Sequence, residues 1–392
     1  MEKVLRAPRL TSLGISLLVS AICLGQPSSA PAGQRQSALA LEQAGKIDEA
    51  QATWKSILAT KPNSAEAYAH LGLLEAHQEH YKDAIADYRK ALALNPQFPN
   101  LRLNLGLSLF KAGELKETIQ TFEPMLKNMP ADSPQRLRLA TLTGLAHYGV
   151  GNYAAAVPYL KEATAGDPQN LQFKLMLAHA CLWSKQYQCV LDTYREIIII
   201  NPDAAEAYML AGETYDELKD DTKALEQFQA AIKADPNLPN VHFAHGYLSW
   251  RLMRFDQAIA EFHAELANNP DHAQALAYLG DAEIHLQHPD QAQQFLEHSI
   301  RIDPNLALAH LDLGTIYESQ GRKDDALREY QVSAKLNPQN ENVHWRLGRL
   351  YQSLGRTEEA KAELEKTRNL QKVRDEPLVE KINRVPATST QR

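Results

Sequence analysis

The stretch that decides the fold is residues 205–238, AEAYMLAGETYDELKDDTKALEQFQAAIKADPNL, which carries a proline near its end. Prolines stand at the equivalent place through most of the chain, and every step but one is 34 residues. They are Pro62, Pro96, Pro130, Pro168, Pro202, Pro236, Pro270, Pro304 and Pro338. The step from Pro130 to Pro168 is 38 residues, because four extra residues lie near 133–136. A fixed period of this size indicates a stack of repeats with an extended surface, which favours binding over catalysis as the first hypothesis.

Three further positions recur when each repeat is numbered so that its proline is position 32. Position 8 is glycine in eight of ten repeats, position 20 is alanine in eight, and position 24 is large and often aromatic. The glycines are Gly72, Gly106, Gly144, Gly212, Gly246, Gly280, Gly314 and Gly348. The alanines are Ala50, Ala84, Ala156, Ala224, Ala258, Ala292, Ala326 and Ala360. The large residues are Trp54, Tyr88, Phe122, Leu160, Tyr194, Phe228, Phe262, Leu296, Tyr330 and Leu364.

Two helices per repeat account for this pattern. Positions 4, 7, 8 and 11 share one face of a first helix, and positions 20, 24 and 27 share one face of a second. Glycine inside a helix costs about 1 kcal/mol relative to alanine, so eight of them indicate helices that approach too closely for a side chain. Glycine near position 15, as at Gly45, Gly113 and Gly321, predicts a left-handed turn between the helices. Proline at position 32 ends the second helix.

These residues resemble the tetratricopeptide repeat (TPR) family, whose unit is a 34-residue helix–turn–helix. The resemblance covers about residues 31–374, with ten repeats that start near residues 31, 65, 99, 137, 171, 205, 239, 273, 307 and 341. It implies an all-α, right-handed superhelical solenoid in which the first helix of each repeat lines a concave groove. We therefore predict one elongated domain at 33–374, followed by a flexible tail at 375–392.

Residues 1–32 have the pattern of a secretory signal peptide. The first nine residues are basic, an apolar core runs from Leu13 to Leu24, and Ala30-Pro31-Ala32 supplies a small-residue cleavage signal. The core is short for a membrane span. The pattern predicts export, to a bacterial periplasm or the medium. The alternative is that the N-terminal segment is retained as a membrane anchor, and only then would the protein contact a membrane.

Charge and motifs do not predict a catalytic or nucleotide site. The net charge is −7 without a dense basic stripe, so nucleic acid is not an expected partner. Residues 149–154 match G-x-G-x-x-A, but they fall in a turn between two helices instead of after a strand. Histidine pairs such as His242 and His245 have a spacing that could bind a metal, yet His242, His310 and His344 occupy the packing position 4. We expect no enzyme activity, no metal and no cofactor.

Cys181 and Cys189 are the two cysteines that follow the N-terminal segment. They stand at positions 11 and 19 of one repeat, on the first helix and at the start of the second. In an oxidising compartment they could form a disulfide between the two helices. The sequence alone does not establish the Cβ geometry that such a bond needs.

The groove that the resemblance implies is lined by positions 2, 5, 9, 12 and 13 of each repeat. These positions are apolar or aromatic in repeats 3–5, acidic in repeat 6 and aromatic again in repeat 7. The candidate peptide-binding residues are Leu103, Leu107, Phe110, Tyr148, Leu175, Leu182, Trp183, Glu213, Asp216, Glu217, Phe243, Tyr247, Trp250 and Arg251. Exposed aromatic residues often supply most of an interface's binding energy. The alternative is that several of these rings pack between neighbouring repeats.

The function that we predict is a scaffold or assembly factor that binds a protein or peptide in the groove. An accessory subunit of an envelope enzyme system, for polysaccharide synthesis, secretion or protein modification, is the alternative. Position 9 lacks the lysine and asparagine with which chaperone-binding members of the family hold a C-terminal carboxylate. A chaperone-tail adaptor is therefore not expected.

Overall fold

The computed structural model describes residues 32–130 and 132–375, so the predicted signal peptide, apart from its last residue, and the predicted tail beyond residue 375 lie outside the described residues. Over these residues the secondary structure is α-helical without strands, which confirms the predicted all-α class. The helices are α1 (Ala32–Gln43), α2 (Ile47–Thr60), α3 (Ala65–His77), α4 (Tyr81–Leu94), α5 (Leu101–Lys111), α6 (Leu115–Leu126), α7 (Pro134–Gly149), α8 (Tyr153–Gly166), α9 (Leu171–Trp183), α10 (Tyr187–Ile200), α11 (Ala205–Glu217), α12 (Asp221–Ala234), α13 (Val241–Arg251), α14 (Phe255–Asn268), α15 (Ala273–His285), α16 (Pro289–Ile302), α17 (Ala307–Ser319), α18 (Lys323–Leu336), α19 (Glu341–Ser353) and α20 (Thr357–Asp375).

Each repeat contributes two consecutive helices that pack against each other, from α1 with α2 to α19 with α20. The described residues form two compact bodies that divide after Pro202, and we call them the N-terminal body and the C-terminal body. Within each body the second helix of one repeat also packs against the first helix of the next, as α14 does against α15. These two kinds of packing make a repeat solenoid, as the 34-residue period predicts.

The glycines at position 8 lie directly beneath the side chain at position 24. A Cβ atom on Gly212 would be 2.5 Å from the Phe228 ring, and one on Gly106 would be 2.1 Å from the Phe122 ring. Both distances are well below a van der Waals contact. The predicted close approach at position 8 is therefore present, and the atoms that fill the space belong mainly to the position-24 side chain.

The turn between the two helices uses a left-handed residue in all ten repeats. Five of these residues are glycines, and Gly321 is typical with a φ of 75°. The other five carry side chains at the same position 15, for example Lys219 with a φ of 62° and Met253 with a φ of 59°. The turn geometry is thus common to every repeat, although the sequence shows its glycine in only half of them. L-residues pay about 1–2 kcal/mol in this conformation.

The four extra residues between repeats 3 and 4 lengthen a helix. α7 has 16 residues, compared with 13 in α9, and it starts at Pro134 behind the N-cap Ser133. The Ser133 hydroxyl accepts a hydrogen bond from the backbone N–H of Arg136 at 3.4 Å. The Arg136 guanidinium donates to the carbonyl of Leu126, at the end of α6, at 2.7 Å. The insertion is therefore absorbed as added helix that is anchored to the preceding repeat.

Within the described residues, no helix combines the length and apolar character that a membrane crossing requires.

Candidate functional site

The predicted groove residues of α5 contribute mainly to the hydrophobic core. Leu107 is buried in a cluster with Phe122 and Leu139, and Leu103 and Phe110 are half-buried against the same cluster. This cluster joins α5, α6 and α7. Leu107 is thus a packing residue and not an accessible anchor, which corrects its assignment to the groove.

An aromatic cluster in the N-terminal body joins α7, α8 and α9. It consists of Tyr148, Tyr153, His179 and Trp183. The ring of Tyr153 lies 5.5 Å from that of Tyr148 and 5.9 Å from that of Trp183. Trp183 is 37% exposed, whereas Tyr148 is buried and forms a wall of the cluster, so only Trp183 presents a large aromatic surface to a partner.

His179 holds this cluster in one geometry. The Trp183 Nε1–H donates to His179 Nε2 at 3.0 Å, and His179 Nδ1 lies 2.9 Å from the Tyr148 hydroxyl. Burial lowers the pKa of His179 to about 4, so the ring is neutral near pH 7. Since Nε2 accepts a hydrogen bond, the proton is on Nδ1 and is donated to the Tyr148 hydroxyl. The indole of Trp183 is thereby oriented before any partner arrives. Leu175 and Leu182, on the same helix, are half-buried.

The acidic residues of α11 are partly neutralised within the C-terminal body. The guanidinium of Arg251 on α13 donates to Asp216 and to Asp221, each at 2.5 Å. Burial, and then the charges of Asp216 and Glu217, raise the pKa of Glu213 to about 7. The predicted acidic segment is therefore less negative than the sequence indicates, because one carboxyl is paired and another is partly protonated at neutral pH.

The aromatic residues of α13 divide into a core part and a surface part. Phe243 is buried and stacks on His272 at a ring distance of 4.7 Å, so it is a packing residue and its assignment to the groove is corrected. Tyr247 and Trp250 are half-buried, and both contact Tyr278 of α15, at 5.1 and 4.8 Å. Tyr247 and Trp250 remain candidates for partner contact.

The histidine pairs that suggested a metal are engaged by carboxylates. His242 and His245 both face Glu261, at 2.6 and 3.1 Å. His288 lies 2.8 Å from Glu283. In the described part of the chain, no group of three histidine, cysteine or acidic side chains is arranged to hold a metal ion.

Position 4 carries a recurring histidine–glutamate contact that joins the two helices of a repeat. Nδ1 of His310 lies 2.6 Å from Glu329, and the same contact recurs with the same spacing at His344 and Glu363. Nε2 of His310 lies 3.0 Å from the carbonyl oxygen of Pro304, at the end of the preceding repeat. Both ring nitrogens face acceptors, an arrangement that only a protonated imidazole satisfies.

In the structure, Cys181 and Cys189 are joined by a disulfide between α9 and α10. Their Sγ atoms lie 2.09 Å apart and their Cα atoms 5.9 Å apart. This Cα distance is typical of disulfide-bonded cysteines. The bond closes the helical hairpin of repeat 5.

A recurring contact between consecutive repeats was not predicted from the sequence. The side chain at position 17 of one repeat contacts the side chain at position 13 of the next. Tyr153 meets Trp183 in this way, and Asp221 meets Arg251. Phe255 and His285 repeat the contact, with stacked rings 4.4 Å apart. The complementary residue types at this 30-residue spacing were visible in the sequence. The second helix therefore supplies the edge of the surface that carries the groove positions.

Known proteins match this chain through its repeats. A family described as "TPR repeat" matches residues 74–113, and two families described as "Tetratricopeptide repeat" match residues 148–189 and 317–376, and residues 190–239 and 243–307. Tetratricopeptide repeat protein 13 of Homo sapiens is 37% identical over 92 residues, which are 24% of this chain and 11% of that protein. The chain spans between a tenth and a fifth of the length of the curated relatives that it matches.

Several solved structures are similar to parts of this chain at low sequence identity. PilF of Pseudomonas aeruginosa is 18% identical, with 53% of this chain and 93% of that chain covered and a TM-score of 0.47. YrrB, described as a TPR protein with an unusual peptide-binding site, is 18% identical, with 45% and 92% covered and a TM-score of 0.39. With the repeat spacing, the packed helix pairs and the family matches along its length, this chain belongs to the tetratricopeptide repeat proteins.

Proposed function

We propose that this protein is a non-enzymatic scaffold that binds a protein or peptide through its first helices. TPR proteins are generally protein-interaction scaffolds and are typically non-catalytic. The accessible candidates on these helices are Trp183 in the N-terminal body and Tyr247 with Trp250 in the C-terminal body. A partner would lay an extended or helical segment on the first helices of one body, with apolar side chains as anchors.

The observation that carries the proposal is the fixed orientation of Trp183. This tryptophan is 37% exposed, yet its indole N–H is held by His179 and its ring rests near Tyr153. A large aromatic side chain that is ordered before binding loses little conformational entropy when a partner covers it. Such residues frequently dominate an interface.

The test is partner capture from an envelope extract, followed by titration of the captured partner against variants. We expect Trp183→Ala to weaken binding by about 2 kcal/mol. Ile199→Ala is the matched control, because Ile199 is 81% exposed but lies on α10, a second helix. Equal binding by the parent and Trp183→Ala, with a loss in Ile199→Ala, would place the working surface on the second helices and refute the proposal.

For localisation we propose export to the cell envelope, on the strength of the apolar core Leu13–Leu24 and the cleavage signal that follows it. Mass spectrometry of the protein from envelope fractions should find a mature N-terminus near Gly33. Intact peptides from residues 1–24 in the membrane fraction would instead establish the anchored alternative.

An accessory subunit of an envelope enzyme system is the second candidate, favoured by the same location and the same surface. The two candidates differ in whether this protein changes the enzymatic activity of its partner. If the captured partner is an enzyme whose activity changes when this protein is added, the accessory role holds. If the activity is unchanged, the scaffold role holds.

A further inference from the structure

A cavity in the N-terminal body lies between repeats 2 and 3. It is lined by half-buried side chains, among them Leu73 and Ala76 of α3 and Asn104 of α5, and by buried ones, among them Tyr88 of α4 and Ser108 of α5. About 20 Å³ of it is open to the centre of a water-sized molecule, which is more than one water needs. Leu73 and Ala76 stand at the groove positions 9 and 12, so a small group on a partner reaches the cavity from the groove.

Tyr88 brings an unsatisfied hydroxyl group to this cavity. The residue has an exposed fraction of 0%, and within the described part of the chain its hydroxyl has no hydrogen-bond partner. Most buried side-chain polar atoms in folded proteins are hydrogen-bonded. A buried hydroxyl that lines a cavity without a partner from its own chain therefore indicates a partner from outside, either water or a ligand.

Two other repeats supply such a partner from within. In repeat 1 the Trp54 Nε1–H donates to Glu42 at 2.5 Å, and in repeat 9 the Tyr330 hydroxyl donates to Glu318 at 2.7 Å. In both repeats the donor stands at position 24 and the glutamate at position 12. Position 12 of repeat 2 is Ala76, which lines the cavity. The side chain that accepts the hydrogen bond in repeats 1 and 9 is thus missing from repeat 2.

The residue at position 6 of the following repeat favours a neutral acceptor over a carboxylate. Where the glutamate is present, this residue is basic. His70 lies 2.9 Å from Glu42, and Arg346 donates to the Tyr330 hydroxyl at 3.4 Å. Beside the cavity, position 6 is Asn104, which has no charge. The cation that accompanies a carboxylate in the other two repeats is therefore replaced by an amide.

Glu75 of α3 also disfavours an anion. Its charge acts on Tyr88, but the two form no hydrogen bond, since Glu75 Oε2 and the Tyr88 hydroxyl are each buried without a partner. Burial, and then the charges of Asp87 and Asp83, raise the pKa of Glu75 to about 7, so its surroundings are already negative. A carboxamide has the shape of a carboxylate without the charge, and it offers both an acceptor and two donors.

We propose that this cavity binds the carboxamide of a glutamine side chain that a partner peptide presents. The carboxamide takes the place that a glutamate of this chain has in repeats 1 and 9. Its carbonyl oxygen accepts from the Tyr88 hydroxyl, and its NH2 group donates to the side-chain oxygen of Asn104. The site rests on the proposed function, since it names a side chain that the partner lays on the first helices of the N-terminal body.

The first experiment tests the carboxamide without any peptide. The side-chain amide resonances of Asn104 are followed by NMR while propionamide is added, with propionate as the negatively charged compound of the same shape. We expect saturable binding of propionamide to the parent protein. Propionate should bind at least about tenfold more weakly, equivalent to about 1.4 kcal/mol.

Two variants remove the site in different ways. Tyr88→Phe removes the hydroxyl and keeps a ring that other repeats have at position 24, as at Phe122, so it should fold and bind propionamide at least about tenfold more weakly. Ala76→Gln supplies the missing side chain from within, so it should abolish binding and raise the melting temperature. His77→Gln is the matched control, because His77 is the next residue of α3 but is exposed, and it should bind and melt like the parent.

The result for Tyr88→Phe decides the outcome even if Ala76→Gln does not fold. Equal binding of propionamide by the parent and Tyr88→Phe would overturn the site and leave the hydroxyl to Glu75 or to water. Propionate that binds as well as propionamide would overturn the choice of a neutral group. The absence of saturable binding to the parent would also refute the site.

The second experiment separates the cavity from the proposed function. A phage-displayed library of random linear peptides is selected against the parent and against Ala76→Gln. Glutamine enriched only by the parent would support the site. Peptides selected equally by both proteins without a glutamine bias would sustain the scaffold role and refute the site. If propionamide binds but no peptide is selected, the carboxamide site stands and peptide binding fails.

Discussion

Alanine substitution at the position-8 glycines should destabilise the protein in proportion to how tightly each glycine is covered. A Cβ atom at Gly106 would lie 2.1 Å from the Phe122 ring, whereas one at Gly246 would lie 3.0 Å from the Phe262 ring. Alanine gains about 1 kcal/mol of helix propensity over glycine at both sites. Overpacking a well-filled core costs about 1–3 kcal/mol.

These magnitudes predict different outcomes at the two sites. At Gly106 the overlap is deep, so we expect a net loss of about 2 kcal/mol for Gly106→Ala. At Gly246 the new Cβ would also lie 3.1 Å from the Glu261 Cβ, but small shifts of this side chain and of the Phe262 ring relieve both contacts. The gain and the cost then nearly cancel, and Gly246→Ala should lie within about 0.5 kcal/mol of the parent.

Urea denaturation followed by far-UV circular dichroism measures both variants. The double variant Gly106→Ala with Phe122→Leu supplies the control, because a smaller residue at position 24 makes room for the new methyl group. We expect it to be more stable than the sum of the two single changes. If Gly106→Ala proves as stable as Gly246→Ala, or more stable than the parent, the steric account of position 8 is wrong.

Three other predictions follow from the turns, the histidines and the cysteines. Met253→Gly should raise stability by about 1 kcal/mol in a thermal or urea melt, since Met253 has a φ of 59° that glycine adopts without strain. Burial lowers the pKa of His310, but hydrogen bonds to Glu329 and to the Pro304 carbonyl outweigh it and raise the pKa overall. The stability that His310 contributes should therefore be complete below the unfolded-state pKa and should disappear as pH rises through the folded-state pKa. Urea denaturation midpoints measured across pH 5–9 should show this dependence in the parent and lose it in His310→Gln. The protein isolated without reductant should resist alkylation at Cys181 and Cys189, and reduction should lower its melting temperature. Free thiols at these cysteines in the folded protein would contradict the disulfide.

The fold could be predicted from the sequence because each recurring position has the same steric role in every repeat. Position 8 must be small since the position-24 side chain covers it, and this constraint leaves glycine in eight repeats. The turn was harder to read, because Lys219 and Met253 adopt the left-handed conformation without being glycine. In those repeats the neighbouring helices impose the backbone, so local propensity does not reveal it.

The candidate site was only partly predictable. The repeat position of a residue predicts which face of its helix it occupies, but it does not predict how deeply neighbouring repeats bury its side chain. Leu107 and Phe243 have the spacing of groove residues, yet neighbouring repeats cover them. The pairing of Arg251 with Asp221 lies between repeats and changes the charge of the surface. A search for complementary residues at positions 17 and 13 would have found it.

The contact of His310 with the Pro304 carbonyl has a consequence for how the C-terminal body unfolds. In a stack of repeats, cooperativity depends on how strongly each repeat is coupled to its neighbour. His310 joins repeat 9 to the end of repeat 8, and His344 makes the equivalent contact with the Pro338 carbonyl at 3.0 Å between repeats 9 and 10. Loss of a proton from His310 leaves one ring N–H for two acceptors, Glu329 within the repeat and the Pro304 carbonyl at the junction, so both hydrogen bonds cannot be kept. We therefore expect alkaline conditions to broaden the unfolding transition, with the last repeats exchanging their amide hydrogens independently of the others.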